Sequence, residues 1–182
     1  MAALTTTANL KAWVGLNGSA DDAVLDRLVT SISAYVEAYL NRKIASATYT
    51  DVLDGTGTNG LMLPRYPVTA VSSVSIGGVL VSAAADDASM GYVWSDIGLD
   101  YRGGVFTSGR RNVRVTYTAG YSVTPPEIEQ AVLELAALRY RERDRIGHSS
   151  KSIGGETVAY VTKALPDSVR LILDNWRNVT PV

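Results

Sequence analysis

The side chains that could do chemistry in this chain are few and poorly placed for it. The single histidine, His148, lies in Ile146-Gly147-His148-Ser149-Ser150-Lys151-Ser152-Ile153-Gly154-Gly155, a Gly- and Ser-rich stretch that reads as a flexible loop. A metal ligand or general base needs neighbours that hold it rigidly, and no acidic residue or second histidine stands at ligand spacing from it. Ser149 and Ser150 do not sit in a nucleophile elbow. The glycine turns Gly55-Thr56-Gly57 and Gly154-Gly155 lack the Lys-Ser/Thr and helix start of a phosphate loop, so they read as hairpin and loop glycines. Asp21-Asp22 and Asp86-Asp87 are adjacent in sequence and do not converge on one site. No catalytic residue, cofactor site or metal site is expected.

One polar cluster stands out. Arg139, Arg141, Arg143 and Arg145 alternate with Tyr140, Glu142 and Asp144. On a helix they form two pairs four apart, Arg139 with Arg143 and Arg141 with Arg145, on roughly opposite sides. At a helix C-terminus the cations match the dipole, and the intervening acids neutralise part of the charge. The sharper reading is a subunit-interface or DNA-facing patch, since arginine pairs well with carboxylates and phosphates. No base-reading motif accompanies it. A second class of function, a small-ligand or carbohydrate-binding β module on a helical base, would use Tyr92, Trp94, Tyr101 or Tyr121. Core and sheet packing account for such aromatics more often.

The elements that must carry these groups are legible from hydrophobic period. Thr6 or Thr7 caps a short helix through Leu10, Trp13 and Val14, which Gly15 ends. Residues 21–42 carry Val24, Leu25, Leu28, Val29, Ile32, Tyr35, Val36, Tyr39 and Leu40 three and four apart, one stripe on a helix of about six turns. Ser19 with Asp22 resembles a capping box at its start. From residue 46 the period changes to alternation. Strands are expected at 49–54, 61–63, 71–76, 79–81, 92–94, 104–106 and 113–117, with Gly77-Gly78 as a hairpin turn. With 61–63 resuming the first strand after its glycine-rich turn, they suggest one antiparallel sheet of about six strands, and residues 83–88 read as a loop.

Pro125-Pro126 suits the first positions of a third long helix, apolar nearly all round through Ile128, Ala131, Val132, Leu135 and Leu138. Such a helix is covered on more than one side. Either a neighbouring subunit or the chain's own elements (helix two and the sheet) would supply the cover. An edge strand is expected within 157–161, and Pro166 opens a last helix with Val169, Ile172, Leu173 and Trp176 on one face. The expected fold is α+β: a small bundle of about four helices, residues 1–45 and 122–182, with an antiparallel β insertion at 46–121 and a flexible loop at 146–162.

Composition bounds the function. Hydrophobic residues make up 46% of the 182, and seventeen basic against eighteen acidic residues give a formal charge of −1. That balance signals neither a nucleic-acid nor a membrane partner. Cysteine is absent, which excludes disulfides and thiolate zinc sites. No signal-peptide pattern opens the chain, and no apolar run approaches the ~20 residues that span a bilayer. The expectation is a soluble, cytoplasmic protein without a membrane partner.

In this light the order of the elements resembles the head–tail connector, or adaptor, proteins of tailed double-stranded DNA bacteriophages and their prophages. The matching stretches are Leu10-Lys11-Ala12-Trp13-Val14 and the Asp21-Asp22 helix with Ala34-Tyr35-Val36-Glu37-Ala38-Tyr39-Leu40-Asn41-Arg42. They continue with Leu63-Pro64-Arg65-Tyr66-Pro67-Val68, Tyr117-Thr118-Ala119-Gly120-Tyr121 before Pro125-Pro126, and Leu165-Pro166-Asp167-Ser168-Val169. Residues 82–100, rich in Ala and Asp, depart from the pattern. The resemblance implies a non-enzymatic virion subunit, assembled in the host cytoplasm into a ring, dodecameric in the virion, between the portal protein and a downstream head-completion or tail protein. DNA would pass through it without sequence-specific contact. It further implies subunit or portal contacts from Ile128, Val132, Leu135, the Arg139–Arg145 run, Ile153 and Tyr160 on an assembly-ordered loop, and Ile172 and Trp176 on the last helix.

Overall fold

A computed structural model describes residues 3–86, 88–143, 150–153, 156–159 and 165–178. Two compact units emerge, one from residues 1–42 and 124–182 and the other from Lys43–Val123. The chain is α+β, with an antiparallel β region inserted between the second and third helices.

The helical unit holds α1 (Thr7–Val14), α2 (Asp22–Leu40), α3 (Pro126–Glu142) and α4 (Asp167–Trp176). Its helices begin and end where the sequence chemistry requires. The Thr6 side chain accepts the Asn9 N–H at 3.1 Å, and Gly15 closes α1 in the left-handed region, where a missing Cβ removes the steric cost. Asn41 closes α2 in the same conformation. Ser19 does not form the expected capping box: α2 starts at Asp21 with no side-chain cap, and Asp22 is instead held by Lys11 at 2.7 Å. That ion pair ties the start of α2 to α1. The Leu4 N–H donates to the buried Ser33 hydroxyl at 3.0 Å, while Thr5 and Asn9 both donate to Glu129 at 2.8 Å. These bonds tie the N-terminal segment to α2 and α3.

Among its described residues the β unit has seven strands in two sheets where the alternation suggested one. They are β1 (Ala47–Gly55), β2 (Gly60–Met62), β3 (Val68–Ile76), β4 (Val79–Val81), β5 (Gly91–Trp94), β6 (Gly98–Arg102) and β7 (Gly109–Ala119). The larger sheet has the order β1-β7-β3-β4 and the smaller β2-β6-β5. All strand pairings within both sheets are antiparallel. Alternation reveals which residues share a face, not which strand lies alongside; β2 thus leaves β1 and pairs with β6.

Residues 104–106 do not form the expected strand. Phe106 is fully buried, and its backbone bonds only the loop, donating to Thr58 O at 2.8 Å and accepting from Gly57 N at 2.7 Å. The core of this unit gathers Leu61, Val74, Leu99, Phe106, Val113, Val115 and Tyr117.

The stretch expected as a loop contains β8 (Ser150–Ile153), paired antiparallel with β9 (Glu156–Ala159). Pairing begins seven residues before 157, so the edge strand foreseen there is the second arm of a hairpin. His148 and Gly154-Gly155 lie outside the described residues.

Candidate functional site

The third helix is apolar nearly all round because its own unit surrounds it. Ile128, Ala131, Val132 and Ala136 are fully buried and Leu135 almost so, packed among α1, α2 and α4. Ile128, Val132 and Leu135 therefore build the core of one subunit, and in this conformation they offer no surface to a neighbour.

The arginine run is divided between internal and outward roles. Arg143 reaches Asp21 at 3.6 Å and stacks over the Tyr140 ring at 4.1 Å. Tyr140 in turn donates its hydroxyl to Asp21 at 2.6 Å, and that bond holds the phenol proton more tightly than usual. Arg139 approaches Glu142 at 3.8 Å one turn along. Arg141 is exposed, and Arg145 lies outside the described residues.

On α4, Val169 and Leu173 face the core. Trp176 is half-buried and donates its indole N–H to Glu127 at 2.7 Å. Tyr39 donates to Asp174 at 2.5 Å, which raises the Tyr39 pKa. Ile172 is half-buried, whereas Leu171 is 70% exposed. The outward apolar residue of α4 is thus Leu171, which the one-face reading of the helix had passed over. The Ile153 backbone pairs with Glu156; Tyr160 lies outside the described residues.

The aromatics of the ligand-binding alternative are mostly committed to packing. Tyr92 is buried and pairs across strands with Tyr101, whose ring lies 6.0 Å from Phe106. Trp94 is about half exposed, and Tyr121 bridges to Ala45. The polar centre of the β unit is Asp51, which accepts the Tyr117 hydroxyl at 2.6 Å and an Arg65 guanidinium bond. Arg65 also covers the Tyr49 ring at 4.4 Å. Burial first, and then the bond to Asp51, push the Tyr117 phenol up to about 12. This cluster cross-braces the sheet.

Sequence reasoning missed a second arginine group, Arg110, Arg111 and Arg114. Leu53 pairs with Val113 and Gly55 with Gly109, so Asp54 alone faces three residues of β7. Arg111 takes a left-handed φ of 51° in this bulge, and its N–H donates to Asp54 at 2.6 Å. The signal available in advance was three arginines in five positions where a strand should alternate.

A model of the family described as head completion protein matches residues 3–179. The chain belongs to the head completion protein family. No curated protein matches it. Solved structures with the same fold come from gene transfer agent particles. One chain of the neck of the empty particle, computed with C6 symmetry, is 22% identical with a TM-score of 0.61 over 98% of this chain and 92% of that one. A chain from the virion of the native particle is 20% identical with a TM-score of 0.62 over the same shares. A third, from the native neck computed with C12 symmetry, is 20% identical with a TM-score of 0.59 over 100% and 95%. As a head completion protein the chain is a structural subunit of head–tail joining in phage-like virions. Among the described residues, no helix is long and apolar enough to cross a membrane.

Proposed function

We propose that copies of this head completion protein close into a ring in the virion neck, between the portal and the next head-completion or tail protein, with DNA passing through. The observation that carries the reading is the family match over residues 3–179. Support comes from neck structures of the same fold, computed with C6 and C12 symmetry. Contacts with neighbouring subunits and the portal would use what the helical unit leaves outward: Arg139, Arg141, Leu171 and the exposed edges of Ile172 and Trp176, together with Arg145, Ile153 and Tyr160. Arg143 would contribute by fixing the end of α3 through Asp21. Assembly takes place in the host cytoplasm, and no enzymatic step is needed.

The test is mass in solution across a range of concentrations, by light scattering behind size exclusion, with negative-stain imaging of large species. A ring, or a concentration-driven shift towards one, supports the proposal. A strict monomer that also fails to co-assemble with its portal would overturn it.

A further inference from the structure

Arg111 and Arg114 line a small open cleft of about 210 Å³ in the β unit, together with Val52, Ser75, Gly77, Gly78 and Asn112. Its walls follow from register. Val52 and Ser75 both pair with Arg114 from either side, which puts these three side chains on one face of the sheet. Gly77 and Gly78 turn β3 into β4, and a Cβ at either would meet nothing within 4 Å. The Gly77 N–H is held by Asn112 O at 2.7 Å, and the Asn112 side chain braces Gly55 and Thr107. The bulge that carries Arg111 is thus fixed by several bonds, as a left-handed arginine requires if its strain is to persist.

Charge on this part of the unit is one-sided. Arg65 is committed to Asp51 and Arg102 to the Asp86 carbonyl. Among the described residues no carboxylate lies within ion-pair distance of the Arg110, Arg111 or Arg114 guanidinium. Asp54, opposite the bulge, accepts the Arg111 backbone N–H. Three guanidinium groups against one carboxylate leave this tip positive in a chain whose formal charge is −1.

We infer that this cleft, lined by Arg111 and Arg114 with the exposed Arg110 next to them in β7, binds backbone phosphates of nucleic acid without reading sequence. The cleft is smaller than the roughly 300–1,000 Å³ of drug-sized ligand sites. Arg111 and Arg114 lie three residues apart in β7 and line the same cleft, an arrangement suited to several charges of one polyanion. A duplex presents such charges densely, one per ~1.7 Å of axis. A protein partner would need aromatic or aliphatic anchors at the centre of the contact; Val52 is the one apolar side chain lining the cleft itself, and the exposed Val79 and Leu80 lie beside it on the edge strand β4. The inference stands on this cleft and does not depend on ring closure.

The experiment is fluorescence anisotropy of a labelled ~20-base-pair duplex titrated with the full chain at about 50 mM and about 200 mM salt. Wild type should bind, and affinity should fall about tenfold to fortyfold between the two salts, as two to three neutralised phosphates predict. Arg114→Ala should lower the log–log salt slope by about one and weaken all duplex sequences alike. Arg111→Gly removes the charge while easing the left-handed backbone, so it should fold at least as well and weaken binding similarly. Arg27→Ala, an equal charge loss on α2, should leave the slope unchanged. Retained slope and affinity in Arg110→Ala/Arg111→Gly/Arg114→Ala would overturn the inference. So would displacement of the duplex by poly-glutamate at matched charge, which would make the site one for acidic protein. Protection of the tip by inorganic phosphate with no duplex binding would overturn it in favour of a free-anion site. Because light scattering on the same sample reports ring formation separately, failure here is distinguishable from failure of the ring.

Discussion

At the scale of single residues, what distinguishes this protein is how its few polar buried groups are partnered. Tyr117 is the clearest case. Its phenol is held between core side chains and Asp51, and a folded-state pKa raised from 10.0 to about 12 makes the bond a stabilising element with a defined pH window. A raised value contributes fully below the unfolded pKa and is lost as pH rises through the folded one. Stability should therefore be flat towards pH 10 and fall between pH 10 and about 12. Tyr117→Phe should lower stability by about 1 kcal/mol near neutral pH, the net contribution of one such bond. It should also blunt the alkaline decline, both read from denaturant melts across pH.

Gly120 makes a steric prediction instead. It has φ of 108°, and a Cβ there would lie 2.7 Å from the Ala45 carbonyl oxygen. Gly120→Ala should cost roughly 1–3 kcal/mol, visible as a lowered urea midpoint with unchanged m-value.

At the scale of elements, α3 organises the helical unit. Its apolar circumference is satisfied by α1, α2 and α4, so a truncation there is a core truncation. Ile128→Ala should destabilise the folded monomer by about 2–5 kcal/mol. A subunit-contact role would instead leave the monomer's melting point unmoved and change only the association. The two outcomes separate cleanly in a thermal melt at a concentration below any assembly.

The capping of α1 is smaller but as specific: Thr6→Ala should cost about 1 kcal/mol, because the Asn9 N–H loses its acceptor. Much of this level was readable beforehand. Thr6, Gly15 and Pro126 mark helix ends by local backbone chemistry, and the Gly77-Gly78 hairpin closes where the glycines allow left-handed φ. Ser19 was misleading, because the competing Lys11–Asp22 pair comes from a separate helix. The division into two sheets was hidden for the same reason: strand partners are chosen by distant contacts that alternation does not encode.

At the scale of the whole molecule, the surfaces left outward decide what a head completion protein can join. Leu171 at 70% exposed, on a helix whose opposite side holds Val169 and Leu173, is the feature to alter first. Leu171→Asp should leave the monomer's melting point nearly unchanged, within the roughly ±0.5 kcal/mol typical of surface changes. In the same variant, assembly should weaken by at least tenfold in midpoint concentration, measured by light scattering. An unchanged midpoint would remove α4 from the contact surface. Arg141→Glu is the companion at the end of α3, and its effect should shrink as salt rises.

The sequence by itself determined the α+β class, the insertion of strands between the second and third helices, the ends of α1 and the proline start of α3, and the resemblance to head–tail connectors. Each of these is written in local period, turn chemistry or the order of elements along the chain. Only the tertiary structure decided that Ile128, Val132 and Leu135 are interior, that Arg143 turns back to Asp21 while Arg141 faces out, and that Leu171 is the exposed apolar residue of α4. It alone also brought Arg111 and Arg114 to one cleft with Gly77 and Gly78. Burial and long-range pairing depend on which elements meet, and that choice is made by the sum of many contacts between residues far apart in the chain.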